Sequence, residues 1–171
     1  ATPPDDSVLD TFYQVTKKYY ANPNSSHKLG LDSKKLMDDT TLEISNLLHV
    51  SEEEIIYTSG ASEANNLAIK GVAERYKNRG KHILISALEH NSIVASATYL
   101  MENGYEVEII PVTHDGYIDI TSLKQMLRSD TILVSITSVD SELGIKQPIE
   151  EIGLLLKDYP NCIFHTDSSQ A

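Results

Sequence analysis

The chain has 171 residues, 40% of them hydrophobic and 23% charged, which is globular composition and enough length for one domain with a sizeable core. Its formal net charge of −11 argues against nonspecific binding to nucleic acid or to an anionic membrane, because both need clustered Lys and Arg. No apolar run approaches the ~18 residues of a membrane span, and Cys162, the only cysteine, excludes an intramolecular disulfide or a multi-cysteine zinc motif.

The N-terminal ATPPDDSV has neither the basic start nor the apolar stretch of a signal peptide, so a reducing, cytoplasmic setting is expected. Residues 7–20 place Val8, Phe12, Val15 and Tyr19 on one side of a helix. The Asn-, Pro-, Ser- and Gly-rich segment 21–30 predicts a loop, and helical spacing returns over 36–48. Ser51 followed by Glu54 has the spacing of a capping box on a single turn.

From there short β-rich runs alternate with amphipathic stretches. Strands are predicted at 54–58, 82–86, 105–112, 131–136 and 162–166, and helices at 63–78, 91–103, 121–127 and 148–158. Pro148 suits a first helical position, and Glu150 and Glu151 suit the helix dipole. His114, Asp115 and Gly116 read as a turn. Near-continuous apolar strands such as TILVSI predict an α/β fold with a mostly parallel sheet covered by helices on both faces. No repeat, low-complexity tract or internal linker is visible.

In an open α/β sheet, ligands bind beyond the carboxyl ends of the strands. Beyond 54–58 stands SGAS, followed by a helix whose first N–H groups lack partners within it. With the Ser62 hydroxyl these make a phosphate site; alternatively Ser62 is an N-cap and Gly60 a tight turn. Beyond 82–86, His90 sits at a strand–helix junction, as a cap or as a functional imidazole. Beyond 131–136 comes TSVDSELG. Beyond 162–166 comes Asp167, a carboxylate that needs a cationic partner if it is buried. Cys162, inside a predicted strand, reads as a small core residue. No His, Cys or Asp cluster has metal-ligand spacing, so no metal site is expected.

TSGASEANNLAIKG, the EH of LEHNS, DTILVSI followed by ELG, and HTDSSQA resemble, in order and spacing, the NifS-like cysteine desulfurases, pyridoxal-phosphate enzymes of the class V aminotransferase group. NPNSSH at 22–27 and the initial ATPP resemble further motifs of that family. The resemblance covers essentially the whole chain. It implies part of a fold-type I pyridoxal-phosphate domain, with 131–136 between 82–86 and 162–166, and 105–112 at one edge. Strand 54–58 would then be unpaired, or paired outside the other four strands. The resemblance further implies that residues 1–171 are the N-terminal half of the cofactor-binding large domain, with 1–6 as linker from a smaller domain.

By the same resemblance, the Ala61 N–H and Ser62 hydroxyl hold the cofactor phosphate. His90 stacks on the pyridine ring and serves in acid–base steps, Asp167 pairs with the pyridinium nitrogen, and Gln170 bonds the ring's phenolic oxygen. Ser141 stands where the family usually has an amide that contacts the ring oxygen and substrate carboxylate, and Asp140 adds negative charge beside it. The implied activity is conversion of L-cysteine to L-alanine, with the sulfur left as a persulfide for iron–sulfur cluster assembly or tRNA thiolation. The implied partners are a second copy of the enzyme and a sulfur-acceptor protein. The family's Schiff-base lysine and sulfur-accepting cysteine lie further along than this chain extends, so the 171 residues alone are expected to be inactive. A selenocysteine lyase, an aminotransferase, or a non-catalytic protein of the same fold are the rival readings.

Overall fold

A computed structural model describes residues 3–171; Ala1 and Thr2, half of the ATPP motif, lie outside the described residues. The chain divides into two compact units at Tyr57–Thr58.

The first unit is helical. Helix α1 (Asp6–Lys18) begins where the Asp5 carboxylate accepts from the Ser7 N–H at 2.8 Å and ends with Lys17 and Lys18 against the negative end of the helix dipole. Helix α2 (Lys28–Leu48) starts eight residues before the predicted 36–48 and takes the last three residues of the predicted loop. Two local causes explain the difference. His27 caps the helix by accepting from the Gly30 N–H at 3.2 Å. Gly30 itself is a contact point: a Cβ there would stand 2.4 Å from the Ser25 carbonyl oxygen. This glycine lets the preceding loop lie against the helix, and does not mark a flexible loop.

Ser51 and Glu54 form the expected capping box, around a single 3-10 turn (Glu52–Glu54). The strand predicted at 54–58 is not formed. Glu54 is taken into that turn, Ile55 to Tyr57 join no ladder among the described residues, and Ile56 and Tyr57 are exposed. Two β-branched residues favour extended backbone, but a strand also needs a neighbour to receive its hydrogen bonds. As the resemblance implied, 54–58 pairs with none of the other four strands among the described residues.

The second unit is the α/β layer structure that the pattern predicts. Its four strands are β1 (His82–Ser86), β2 (Glu106–Ile110), β3 (Thr131–Ser135) and β4 (Ile163–His165), all parallel, in the order β2-β1-β3-β4. This is the predicted placement: 131–136 sits between 82–86 and 162–166, and 105–112 lies at the edge. Helices α3 (Ala61–Tyr76), α4 (Asn91–Glu102), α5 (Ile120–Met126) and α6 (Ile149–Leu156) match the predicted ones to within two residues at each end. Pro148 stands one position earlier than expected, at the cap of α6 and not inside it.

Alternation along the strands assigns the two faces. Ile83 and Ile85 point to one side and pack with Ile69 and Ala73 of α3 and with Ile93, Ala97 and Leu100 of α4. Leu84 and Val134 point to the other and pack with Leu123 of α5 and with Ile152 and Leu156 of α6. Beside β1 the register shifts at the first step of β3, where His82 faces Thr131 but Ile83 faces Leu133. The skipped residue, Ile132, is fully buried with the α3–α4 cluster. Cys162 is partly buried against the α5–α6 cluster, and burial pushes its thiol up to about 12, as suits a core residue. Ile83→Val removes one methylene from a fully buried position, so it is expected to lower stability by about 1 kcal/mol. That should appear as a lower denaturation midpoint at unchanged m-value.

The strand order places the carboxyl ends of β1, β3 and β4 side by side. Pairing continues past the regular strands, with the Ile136 N–H donating to the His165 carbonyl at 3.0 Å and the Ser138 N–H to the Asp167 carbonyl at 2.8 Å. The segments 87–90, 137–142 and 166–170 therefore gather at one edge of the sheet.

Candidate active site

Helix α3 opens this edge. Gly60 is its N-cap and Ser62 its second residue. The alternative that Ser62 caps the helix is thereby corrected: cap geometry requires a residue outside the helical turn, and Ser62 is already inside it. The loop before the helix is held by Glu63, whose carboxylate accepts from the Ser59 N–H at 2.6 Å and the Ser59 hydroxyl at 2.7 Å. These bonds hold the Glu63 carboxyl below the usual range. The Ser62 hydroxyl and the first N–H groups of the helix remain at the rim of a pocket of about 410 Å³. That volume is in the range of small-molecule and cofactor sites.

All six residues singled out from the sequence line this pocket: Ala61, Ser62, His90, Ser141, Asp167 and Gln170. They come from four separate stretches of chain that only the sheet brings together. His90 is the N-cap of α4, its Nδ1 accepting from the Ser92 N–H at 3.2 Å. The two alternatives for this residue, cap and pocket group, are therefore compatible. Gln170 and Ser141 are exposed at the mouth.

Asp167 stands at the base, 8% exposed. Its Oδ2 accepts from the Asn65 amide at 2.8 Å, and its Oδ1 from the Ser169 N–H at 2.9 Å and the Ser169 hydroxyl at 2.5 Å. Burial pushes its carboxyl up, but the bonds from Ser169 and Asn65 outweigh this and hold it below the usual range. Asp167 is an ionised carboxylate to which no Lys or Arg is paired among the described residues.

The charge that Asp140 was expected to add beside Ser141 is spent locally. Its side chain accepts from the Glu142 N–H at 3.1 Å and from the Leu143 N–H, closing a turn that ends at Gly144 with φ 69°. The carboxylate thus shapes the loop that presents Ser141.

Sequence reasoning missed Asn65, Ser92, Ser169 and Glu89. The Glu89 Oε1 accepts from the Ser86 hydroxyl and the Thr137 N–H, both at 2.7 Å, tying the end of β1 to the segment after β3. Its Oε2 is buried without a partner, and burial raises its carboxyl to about 7, the Ser86 and Thr137 bonds notwithstanding. A Glu beside His90 was the available signal, but one acidic residue in a loop ordinarily reads as solvent-exposed. No cluster of three or more His, Cys, Asp or Glu that could hold a metal occurs among the described residues.

The donor set suits a phosphorylated, nitrogen-bearing aromatic ring. A helix N-terminus with a hydroxyl suits the phosphate, and an ionised buried carboxylate lacking a cation suits a protonated ring nitrogen. An imidazole lies between them in sequence.

Comparison with known proteins shows the family. The aminotransferase class-V family model matches residues 1–171. A NifS/IcsS protein homolog of Lactobacillus delbrueckii subsp. bulgaricus is 44% identical over 164 residues, covering 96% of this chain and 43% of its own. The mitochondrial cysteine desulfurase of Arabidopsis thaliana is 39% identical over 171 residues, covering 99% of this chain and 38% of its own. Among solved structures, a NifS-like protein superposes with a TM-score of 0.94 at 32% identity, over 99% of this chain and 47% of its own. A structure described as SspA in complex with cysteine superposes at 0.91 with 31% identity, over 100% of this chain and 49% of its own. The chain thus spans less than half the length of these relatives. With the family model matched from end to end and the fold shared with NifS-like proteins, this chain belongs to the class-V aminotransferase family.

Proposed function

We propose that this chain is the cofactor-holding part of a pyridoxal-phosphate-dependent cysteine desulfurase. The observation that carries the reading is the convergence of Ala61, Ser62, His90, Ser141, Asp167 and Gln170 on one pocket, with a buried, ionised carboxylate that pairs with no Lys or Arg among the described residues. Ala61 and Ser62 hold the phosphate through an N–H and a hydroxyl. Asp167 keeps the ring nitrogen protonated, and Gln170 donates to the phenolic oxygen. Bound there, pyridoxal phosphate supplies an electron sink for bond cleavage at the substrate's α and β carbons. His90 lies against the ring and moves protons. Ser141 offers a short hydroxyl contact toward the substrate carboxylate.

In the whole protein the reaction takes L-cysteine to L-alanine and leaves the sulfur as a persulfide on an enzyme cysteine. A sulfur-acceptor protein receives it for iron–sulfur cluster assembly or tRNA thiolation. The enzyme works as a homodimer in the cytoplasm. No helix among the described residues is long and apolar enough to cross a membrane.

The cradle is tested by titrating pyridoxal phosphate into the intact protein and into Ser62→Ala, following the cofactor's absorbance. Loss of one hydrogen bond to a charged phosphate is expected to weaken binding about tenfold or more. Equal affinities for the two proteins would remove the Ser62 hydroxyl from the site.

A further inference from the structure

Behind the pocket, a continuous line of hydrogen bonds joins two of its residues. The Asn65 amide nitrogen lies 2.8 Å from Asp167 Oδ2 and 2.9 Å from Ser92 Oγ, and that hydroxyl lies 2.9 Å from His90 Nδ1. Asn65 is 4% exposed, on the α3 turn that packs toward α4. The direction of each bond follows from chemistry. An ionised carboxylate only accepts, so the group of Asn65 facing Asp167 is its NH₂ and not its carbonyl. Both N–H bonds of that NH₂ are then used, one on Asp167 and one on Ser92. With its oxygen accepting from Asn65, the Ser92 hydroxyl has its proton free for His90 Nδ1. The Ser92 backbone N–H, which can only donate, reaches the same Nδ1 at 3.2 Å. Nδ1 therefore carries no proton, and the neutral ring must carry it on Nε2.

We propose that Asn65 is a positioning residue that couples Asp167 to His90: it orients the carboxylate with one N–H and, through Ser92 with the other, locks His90 as the Nε2–H tautomer. The ring then presents an N–H donor at Nε2, while Nδ1 is committed to the cap. Asp167, held at Oδ2 by Asn65 and at Oδ1 by Ser169, cannot rotate without breaking a bond at one end. This deepens the proposed function and rests on it only for the use made of the ring; the tautomer itself is a property of the protein without cofactor.

The test is the ring ¹⁵N spectrum of the intact, cofactor-free protein labelled at histidine, at a pH where the ring is neutral. His90 signals are assigned by their loss in His90→Gln. The expected parent spectrum has His90 protonated at Nε2 and bare at Nδ1. Asn65→Leu keeps the branched shape and the number of side-chain heavy atoms and removes both donors. The ratio of Nε2–H to Nδ1–H tautomers should then fall about fivefold, the effect of about one net hydrogen bond, and both ring signals should move toward the average. Ser92→Ala, at a half-buried position, should move them in the same direction and carries the test if Asn65→Leu does not fold. Ser169→Ala removes the hydroxyl donor to Asp167 Oδ1, keeps the backbone N–H there, and should leave the His90 signals in place. A parent ring protonated at Nδ1 would overturn the proposal. So would unmoved signals in Asn65→Leu and Ser92→Ala, or a shift in Ser169→Ala as large as theirs. A separate pyridoxal phosphate titration distinguishes this from the cofactor reading: failure to bind would remove the cofactor and leave the tautomer result standing.

Discussion

If the protein is the proposed cysteine desulfurase, Asp167→Asn in the intact enzyme is expected to lower kcat/KM for L-cysteine by about 10²–10³-fold, whereas Ser141→Ala should cost about tenfold or less. The contrast follows from where the two side chains stand. Asp167 is 8% exposed and ionised, and in the proposed site it faces a cationic ring nitrogen. Removing one partner of a buried charge pair costs about 3–5 kcal/mol, and a ring without its proton is a weaker electron sink. The asparagine would also break the order of donors. Either its amide NH₂ confronts the Asn65 NH₂ at the former Oδ2, or it confronts the Ser169 N–H and hydroxyl at the former Oδ1. Ser141 sits on an exposed turn already closed by Asp140, so its loss removes one ordinary hydrogen bond, about 1 kcal/mol. Steady-state kinetics on the two variants, with thermal unfolding to show that both remain folded, decides the matter. Equal losses would remove Asp167 from its assigned role.

Glu89→Gln is expected to make the protein more stable at neutral and alkaline pH, and to make little difference near pH 4. Burial raises the Glu89 carboxyl to about 7 from an ordinary 4.5, with Asp167 adding repulsion, although the bonds from Ser86 and Thr137 oppose the rise. The folded state therefore keeps a proton that the unfolded chain releases near pH 4.5. The stability this proton contributes is full below that value. It is lost as pH rises through about 7. A shift of this size corresponds to about 3 kcal/mol, an order-of-magnitude figure for a group so buried. Glutamine keeps a carbonyl to accept from the Ser86 hydroxyl and Thr137 N–H, and carries no charge where Oε2 has no partner. Denaturant unfolding of parent and variant at several pH values should show their difference growing between pH 4.5 and 7 and level above it. A difference independent of pH would mean that the Glu89 carboxyl titrates alike in the folded and unfolded states.

Local pattern was a good guide wherever one residue's neighbours in sequence are also its neighbours in space. The near-continuous apolar runs HILIS and TILVSI told strands buried on both faces, and the apolar spacing of α3, α4, α5 and α6 told helices that cover them. The Ser51–Glu54 box was legible for the same reason, since it closes within four residues. Where sequence reading erred, a contact from outside the local window intervened or was lacking. Gly30 resembles loop composition but serves a close approach to the Ser25 carbonyl. Ile55 and Ile56 have the side chains of a strand but pair with no strand among the described residues.

The pocket divides in the same way. Ser62, His90, Ser141, Asp167 and Gln170 could be chosen from the sequence because each follows a strand or opens a helix, and the family resemblance named the chemistry. Asn65, Ser92 and Ser169 could not. A serine or asparagine inside a helix ordinarily means little by itself, and Asn65 acquires its partner Asp167 from a position 102 residues away. Glu89 shows the same dependence: the Thr137 N–H that it accepts from is 48 residues distant. The sequence by itself determined the α/β layering and which residues stand at strand ends, because periodicity and turn chemistry act over a few residues. Only the tertiary structure decided which of those ends meet, which carboxyl is held below the usual range and which is raised above it, and which nitrogen of His90 faces the helix cap. Each of these depends on burial and on partners that parallel pairing of distant strands brings together.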